Sequence, residues 1–115
     1  MSEQLLELFI NKHILNIQLL CEKNYETIKL LLEKGANPNI RCCNYGNTPL
    51  HYDNNFDIIK LLLEKGANPN IQNKNGDTSL FYHCDIDIIK LLIEYGADIH
   101  HLNKMSYFLI QILIY

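Results

Sequence analysis

Residues 58–70 read Ile-Ile-Lys-Leu-Leu-Leu-Glu-Lys-Gly-Ala-Asn-Pro-Asn, and this stretch occurs three times in the chain. Residues 28–39 carry a nearly identical copy, and residues 88–100 carry a more divergent third one. The glycines of the copies lie 31 and then 30 residues apart, at positions 35, 66 and 96. A sequence period of this size indicates structural units that stack on one another.

The repeated stretch has the character of a buried helix that ends at its glycine. Ile58, Ile59 and residues 61–63 are too densely apolar for a helix that lies on a surface. Gly66 suits the left-handed conformation that ends many helices, and Pro69 cannot continue a helix because it lacks an amide donor. One such unit cannot bury its apolar face alone, so the pattern predicts a stack of units.

The length and composition limit the class of protein. The 115 residues suffice for one domain, and 48% hydrophobic with 20% charged residues is ordinary for a soluble globular chain. The formal net charge of −3 argues against nucleic acid as a partner. Apolar runs fall short of the ~18 residues that cross a bilayer, so we expect no membrane partner.

The cysteines and the N-terminus indicate a reducing compartment. No pair among the four cysteines has the two-residue spacer of a zinc or redox motif. The chain starts Met-Ser-Glu-Gln, which is acidic where a secretory signal is basic. We therefore expect free thiols and an intracellular, cytoplasmic location.

Read in order, the chain alternates helices and polar loops. Residues 1–11 and 14–21 predict two short helices, and residues 25–34 contain the first copy of the repeated helix. The polar loops at 37–47 and 68–77 each carry glycine and an isoleucine, a composition that favours a short β-hairpin.

A second motif follows each loop. Residues 46–51 read Gly-Asn-Thr-Pro-Leu-His, in which the threonine is a good N-cap and the proline suits the first helical position. Residues 78–81, Thr-Ser-Leu-Phe, are a degraded copy. Together with the repeated Leu-Leu-(Leu/Ile)-Glu-x-Gly-Ala-(Asn/Asp), these motifs resemble ankyrin repeats over residues 14–104.

The resemblance implies an all-α fold, an ankyrin-repeat solenoid of stacked helix-turn-helix units with short β-hairpin loops. The chain then divides into an N-terminal capping helix, about three repeats and an apolar C-terminal segment, at residues 1–13, 14–104 (14–39, 40–70 and 71–100) and 101–115. The last segment is either a capping helix or a partial repeat of a truncated array.

The repeats depart from the family pattern in length. The usual period is ~33 residues, and the shortfall lies after His51 and after Phe81, where the family has a longer first helix. Three missing residues are nearly one helical turn. We therefore expect first helices of barely more than one turn in the second and third repeats.

The resemblance implies a non-catalytic protein–protein interaction module that binds through its loop tips. The tip residues are Arg41, Cys42, Cys43, Asn44 and Tyr45 in the first loop, and Gln72, Asn73, Lys74 and Asn75 in the second. Arg and Tyr are the residue types that most often anchor an interface. The alternative is a truncated or degenerate fragment of a longer ankyrin array without a function of its own.

The expected partner is an unknown protein. The Asn-, Ile- and Lys-rich repeats are similar to those of large DNA viruses, protists or intracellular bacteria, which suggests a host protein. The resemblance also implies structural roles for His51, bonded to a threonine hydroxyl, and for Asn39 and Asn70 in the turns, although such asparagines are sometimes hydroxylated in the family.

No sequence feature indicates an enzyme. Phosphate loops, nucleophile elbows and Cys-His pairings are not visible. His83, Cys84, His100 and His101 offer zinc-ligating side chains, but their spacing fits no metal motif, and the expectation is no metal and no cofactor.

Overall fold

The structure, a computed structural model, describes residues 2–42 and 44–114, apart from the side chains of Phe9, Leu109, Leu113 and Ile114. This part of the chain contains seven α-helices and one 3-10 turn: α1 (Glu3–Cys21), α2 (Tyr25–Glu33), α3 (Pro49–Tyr52), α4 (Phe56–Glu64), α5 (Ser79–Tyr82), α6 (Ile86–Glu94), the 3-10 turn (Ile99–His101) and α7 (Lys104–Ile114). The all-α stack expected from the repeats is confirmed.

The helices form two rows that run along an elongated molecule of 58 × 28 × 20 Å. The repeated helices α2, α4 and α6 pack side by side in one row, and the short helices α3 and α5 pack in the other. Helix α1 packs on α2, and α7 packs on α6. The core lies between and along the rows, and its least exposed side chains are Ile28, Leu50, Ile59, Leu62, Leu80, Ile89 and Leu92.

Each repeated helix has the same start and the same stop. The side chain of Asn55 caps α4 by accepting a hydrogen bond from the amide of Ile58 at 3.2 Å. At the other end, Gly66 has a φ of 97°, and the amides of Gly66 and Ala67 donate to the carbonyls of Leu63 and Leu62. These two bonds are the Schellman closure, and the same pair recurs after α2 and α6.

Asparagine side chains then join one repeat to the next. The Asn39 side chain accepts from the amide of Asn68 at 2.6 Å and donates to the carbonyl of Gly66 at 3.2 Å. Asn70 makes the equivalent pair of bonds with Asp98 and Gly96, at 2.8 and 2.9 Å. Each asparagine thus satisfies backbone groups left open where a helix ends, which supports the structural role expected for both.

The N-terminal region differs from the sequence-based prediction. The two helices expected at residues 1–11 and 14–21 are one continuous helix, α1, of 19 residues. Lys12 and His13 stand where a break was expected, and neither residue stops a helix as glycine or proline does. The prediction of two helices was therefore wrong.

The short first helices are confirmed. Helices α3 and α5 contain four residues each, and their central leucines, Leu50 and Leu80, are 1% and 0% exposed. One turn is thus enough to carry a core side chain into the stack. The loops close as tight turns. The described residues contain no strand, and the first loop has a single antiparallel bridge between Cys42 and Asn47.

Helix α7 covers part of the last repeat. Ser106 is buried, and its hydroxyl donates to the carbonyl of His83 at 2.6 Å. Ile110 packs against the core, whereas Met105, Tyr107, Phe108 and Ile112 are 54–61% exposed. Within the described residues, none of the helices is both long enough and apolar enough to span a membrane.

The two threonine caps have different surroundings. Thr48 donates from its amide to Nδ1 of His51 at 2.9 Å, and its hydroxyl lies at the same distance from that nitrogen. Nδ1 is therefore the acceptor, and Nε2 carries the hydrogen that is donated to the carbonyl of Asp77 at 2.9 Å. Phe81 replaces this histidine in the next repeat, and the buried Thr78 hydroxyl has no hydrogen-bond partner among the described residues.

We predict opposite outcomes for the same substitution at the two threonines. Thr48→Val should lower the free energy of unfolding by about 1 kcal/mol, because it removes the hydrogen bond between the Thr48 hydroxyl and Nδ1 of His51. Thr78→Val should leave stability unchanged or raise it, because the lost hydroxyl has no bond to lose. Urea unfolding of the two variants measures the difference, and equal losses would show that the Thr48 bond contributes nothing.

Candidate interaction surface

The two polar loops have rigid bases. In the first, the amide of Cys42 donates to the carbonyl of Asn47 at 2.8 Å, and the amide of Gly46 donates to the carbonyl of Cys42 at 3.1 Å. In the second, the amide of Asn73 donates to the carbonyl of Asp77 at 2.9 Å. Each loop is therefore closed by its own backbone.

Asn73 lies inside the second loop. It is 6% exposed, and its side-chain oxygen accepts from the amides of Asn75 and Asp77 at 2.9 and 3.0 Å. Its amide group donates to Asn47 at 2.9 Å and to the Tyr82 hydroxyl at 2.7 Å. The structure thus gives Asn73 the role of a loop-forming residue, and little of its surface is open to a partner.

Two further bonds fasten the first loop to the second. The amide of Lys74 donates to the carbonyl of Tyr45 at 2.9 Å, and the guanidinium of Arg41 donates to the carbonyl of Gln72 at 2.9 Å. Both connect neighbouring repeats, so the loops form one surface. The Arg41 side chain thus helps to hold the two loops together. It is also exposed to solvent.

The remaining tip residues form the outer part of that surface, which we call the tip surface. Tyr45 has 65% of its area exposed. Asn44, Gln72, Lys74 and Asn75 are exposed as well, and Cys42 is half-buried. Cys43 lies outside the described residues.

The tip surface is positively charged. Arg41 and Lys74 both come within 4 Å of the point that a Cβ on Gly46 would occupy, at 3.7 and 3.8 Å. The described tip residues include no Asp or Glu, although the chain as a whole has a formal net charge of −3. The Arg41 guanidinium and the stem of Lys74 therefore lie beside Gly46, the residue that follows Tyr45.

The third connection is built differently. Asp98 caps the 3-10 turn by accepting from the amide of His100 at 3.0 Å. Asn103 caps α7 by accepting from the amide of Ser106 at 2.7 Å, and its amide group donates to the carbonyl of Phe81. The tip surface consequently consists of two loops.

The histidines and the cysteine considered as metal ligands differ in burial and in their hydrogen-bond partners. His83 is buried between repeats and donates from Nε2 to the carbonyl of Leu50 at 2.7 Å. Cys84, His100 and, in part, His101 face solvent. Within residues 2–42 and 44–114, no three His, Cys, Asp or Glu side chains are grouped to hold a metal ion. Sequence reasoning missed His83 as an inter-repeat link, because nothing in its local sequence shows which carbonyl it faces.

Two buried histidines link stability to pH. Burial lowers the pKa of both His51 and His83 below the ordinary 6.5, more strongly than their carbonyl partners raise it. The unfolded chain then binds more protons than the folded chain just below that value, so stability falls as the pH drops. Asp53 has a pKa raised by burial from the ordinary 3.8 and acts with the opposite sign in a lower range.

We predict that the free energy of unfolding is constant well above pH 6.5 and decreases as the pH falls through and below 6.5, where the unfolded chain takes up protons that the folded chain does not. His83→Gln should flatten this decrease, because a glutamine amide still donates to the Leu50 carbonyl but does not titrate. Urea unfolding at a series of pH values measures both slopes. Identical slopes for the two proteins would contradict the role assigned to His83.

The comparison with known proteins agrees with this architecture. No curated protein matches the chain in sequence. The family model for ankyrin repeats in three copies matches residues 3–73 and residues 20–103, which together cover most of the chain. The matched residues contain the repeated helices α2, α4 and α6 and the short helices α3 and α5. The chain belongs to the ankyrin-repeat family.

Proposed function

We propose that the protein is a non-catalytic, intracellular adaptor that binds another protein through the tip surface. Ankyrin repeats in general are protein-interaction modules. The finer assignment, to these two loops, rests on their arrangement in this chain. The supporting observation is an exposed aromatic side chain, Tyr45, on a loop pair that is rigid before any partner arrives.

Rigidity supports the proposal because ordering a loop on binding costs free energy. The backbone bond from Lys74 to Tyr45 and the side-chain bond from Arg41 to Gln72 order both loops in the free protein. A tyrosine that is exposed and held in place is a residue type that carries much of the energy of an interface.

The charge of the tip surface indicates the chemistry of the partner. Arg41 and Lys74 flank Gly46, and the described tips carry no acidic residue. Complementary charge speeds association and selects partners. A host protein with a carboxylate-bearing segment, which contacts Tyr45 and the basic side chains of Arg41 and Lys74, fits this surface best.

The fragment alternative has two observations in its favour. Repeat three has lost the histidine of its threonine cap, which leaves Thr78 unpartnered, and α7 exposes large apolar side chains. A chain that had decayed in this way would bind no partner through its tips. The following substitutions separate the two readings.

We predict that Tyr45→Ala and Lys74→Ala each weaken binding of a tip-surface partner about tenfold or more, an effect typical of central interface residues. Both variants keep every backbone bond of the loops, so the change reports on the partner contact. Proteins captured from a host lysate by the wild-type chain would be identified by mass spectrometry, and their dissociation constants measured against each variant.

The matched control is Tyr95→Ala, because Tyr95 is a tyrosine that is 41% exposed at the end of α6 and is not part of the tip surface. It should leave the same dissociation constants unchanged. If every captured protein still bound Tyr45→Ala and Lys74→Ala with unchanged affinity, the tip surface would not be the binding site.

A further inference from the structure

The second loop contains a pair of residues whose chemistry the binding function does not use. Asn75 is the one asparagine of the chain that a glycine follows. In such a pair the backbone nitrogen of the glycine can attack the side-chain amide of the asparagine, because glycine has no side chain to hinder the approach. The tip surface therefore carries a reactive amide.

The surroundings leave this pair open to the reaction. Asn75 is exposed, so water reaches its side chain. A Cβ placed on Gly76 would have nothing within 4 Å among the described residues, its chain neighbours apart. The space beside Gly76 can thus accommodate a ring that forms between the two residues.

The turn itself requires glycine at this position. Gly76 has a φ of 80°, in the left-handed region that glycine adopts readily. Its amide donates to the carbonyl of Asn73 at 3.0 Å, which closes a β-turn over residues 73–76. The fold of the second loop therefore places the reactive pair.

The hydrogen bonds of the turn restrain the reaction. The attacking nitrogen is the one whose hydrogen is held by the Asn73 carbonyl. The Asn73 side chain holds the amides of Asn75 and Asp77 as well, at 2.9 and 3.0 Å. The Gly76 nitrogen is released for attack only when the turn opens, so local opening of the loop sets the rate.

We propose that Asn75 is a site of spontaneous deamidation that is gated by the turn of the second loop. The Gly76 nitrogen bonds to the side-chain carbonyl carbon of Asn75, the carbon–nitrogen bond of the amide breaks, and the proton of the Gly76 nitrogen leaves with the ammonia. Water then adds to one of the two carbonyls of the resulting imide ring. Opening at one carbonyl gives aspartate, and opening at the other gives isoaspartate, in which the main chain runs through the former side chain.

Either product changes the tip surface. Each adds a carboxylate next to Lys74, on a surface whose described residues include no Asp or Glu. Isoaspartate also adds one carbon atom to the main chain inside the turn, so the bonds to Asn73 lose their geometry. A carboxylate-bearing partner would then bind the modified chain less tightly. This consequence rests on the function proposed above, whereas the modification itself does not.

Mass spectrometry of the isolated chain tests the site. After several weeks at neutral pH, the peptide that contains Asn75 should show the mass of an amide converted to an acid, and isoaspartyl methyltransferase should label it. Asn44 is the matched control, because it is an exposed asparagine of the first loop that Tyr45 follows. Its rate should be lower by about tenfold or more, since the tyrosine side chain hinders the attacking nitrogen.

Two variants test the gate. Asn73→Ala should raise the rate at Asn75 about tenfold or more, because it removes two hydrogen bonds that hold the turn. Asn70→Ala is the control, because it also removes two side-chain bonds, to Asp98 and Gly96, but none in the turn. It should leave the rate unchanged, and circular dichroism confirms that both variants are folded.

The unfolded chain supplies the reference rate. In guanidinium chloride, Asn75 should convert about tenfold or more faster than in the folded chain. Equal rates at Asn75 and Asn44, or equal rates in the folded and unfolded chains, would overturn the proposal. Equal acceleration by Asn73→Ala and Asn70→Ala would overturn it as well. All of these rates are measured without a partner, so a tip surface that binds nothing would leave them as predicted.

Discussion

The repeated helix of each unit has more apolar surface than its own repeat can cover, and the rest of the structure depends on this constraint. Ile59, Leu62, Ile89 and Leu92 are at most 1% exposed because neighbouring repeats supply the missing contacts. Stacking in turn fixes where each helix must end. The glycine closures and the asparagine bonds satisfy the backbone at those ends, which lie next to the adjoining repeat.

The loops obtain their shape from the same stack. Asn73 fills the inside of the second loop and reaches Asn47 in the repeat before it, while Arg41 and Lys74 join the two loops from outside. A surface that varies in sequence thus stands on a base of hydrogen bonds, which is the arrangement that suits recognition of a partner by a rigid protein.

The sequence was most informative where the physics is local. The density of leucine and isoleucine predicted the buried helices, and Gly35, Gly66 and Gly96 predicted their ends. The short first helices followed from counting residues after His51.

Local reasoning failed at Lys12 and His13, where two polar residues interrupt an apolar pattern without interrupting the helix. Asparagine is a residue type that is common in exposed loops. Asn73 is nevertheless buried, because it bonds Asn47 and Tyr82, which no local pattern brings together. The lack of a hydrogen-bond partner for the Thr78 hydroxyl could have been predicted from the sequence, since Phe81 stands where the preceding repeat has its histidine.

The central claim is that the three repeats form one mutually supported stack, and native-state hydrogen exchange tests it most directly. The amides of Ala36, Ala67 and Ala97 each close one repeated helix. If the repeats stack as described, all three should exchange through a single opening with the same free energy, equal to that of global unfolding. Three separate free energies, with Ala36 or Ala97 exchanging far below the global value, would contradict the account.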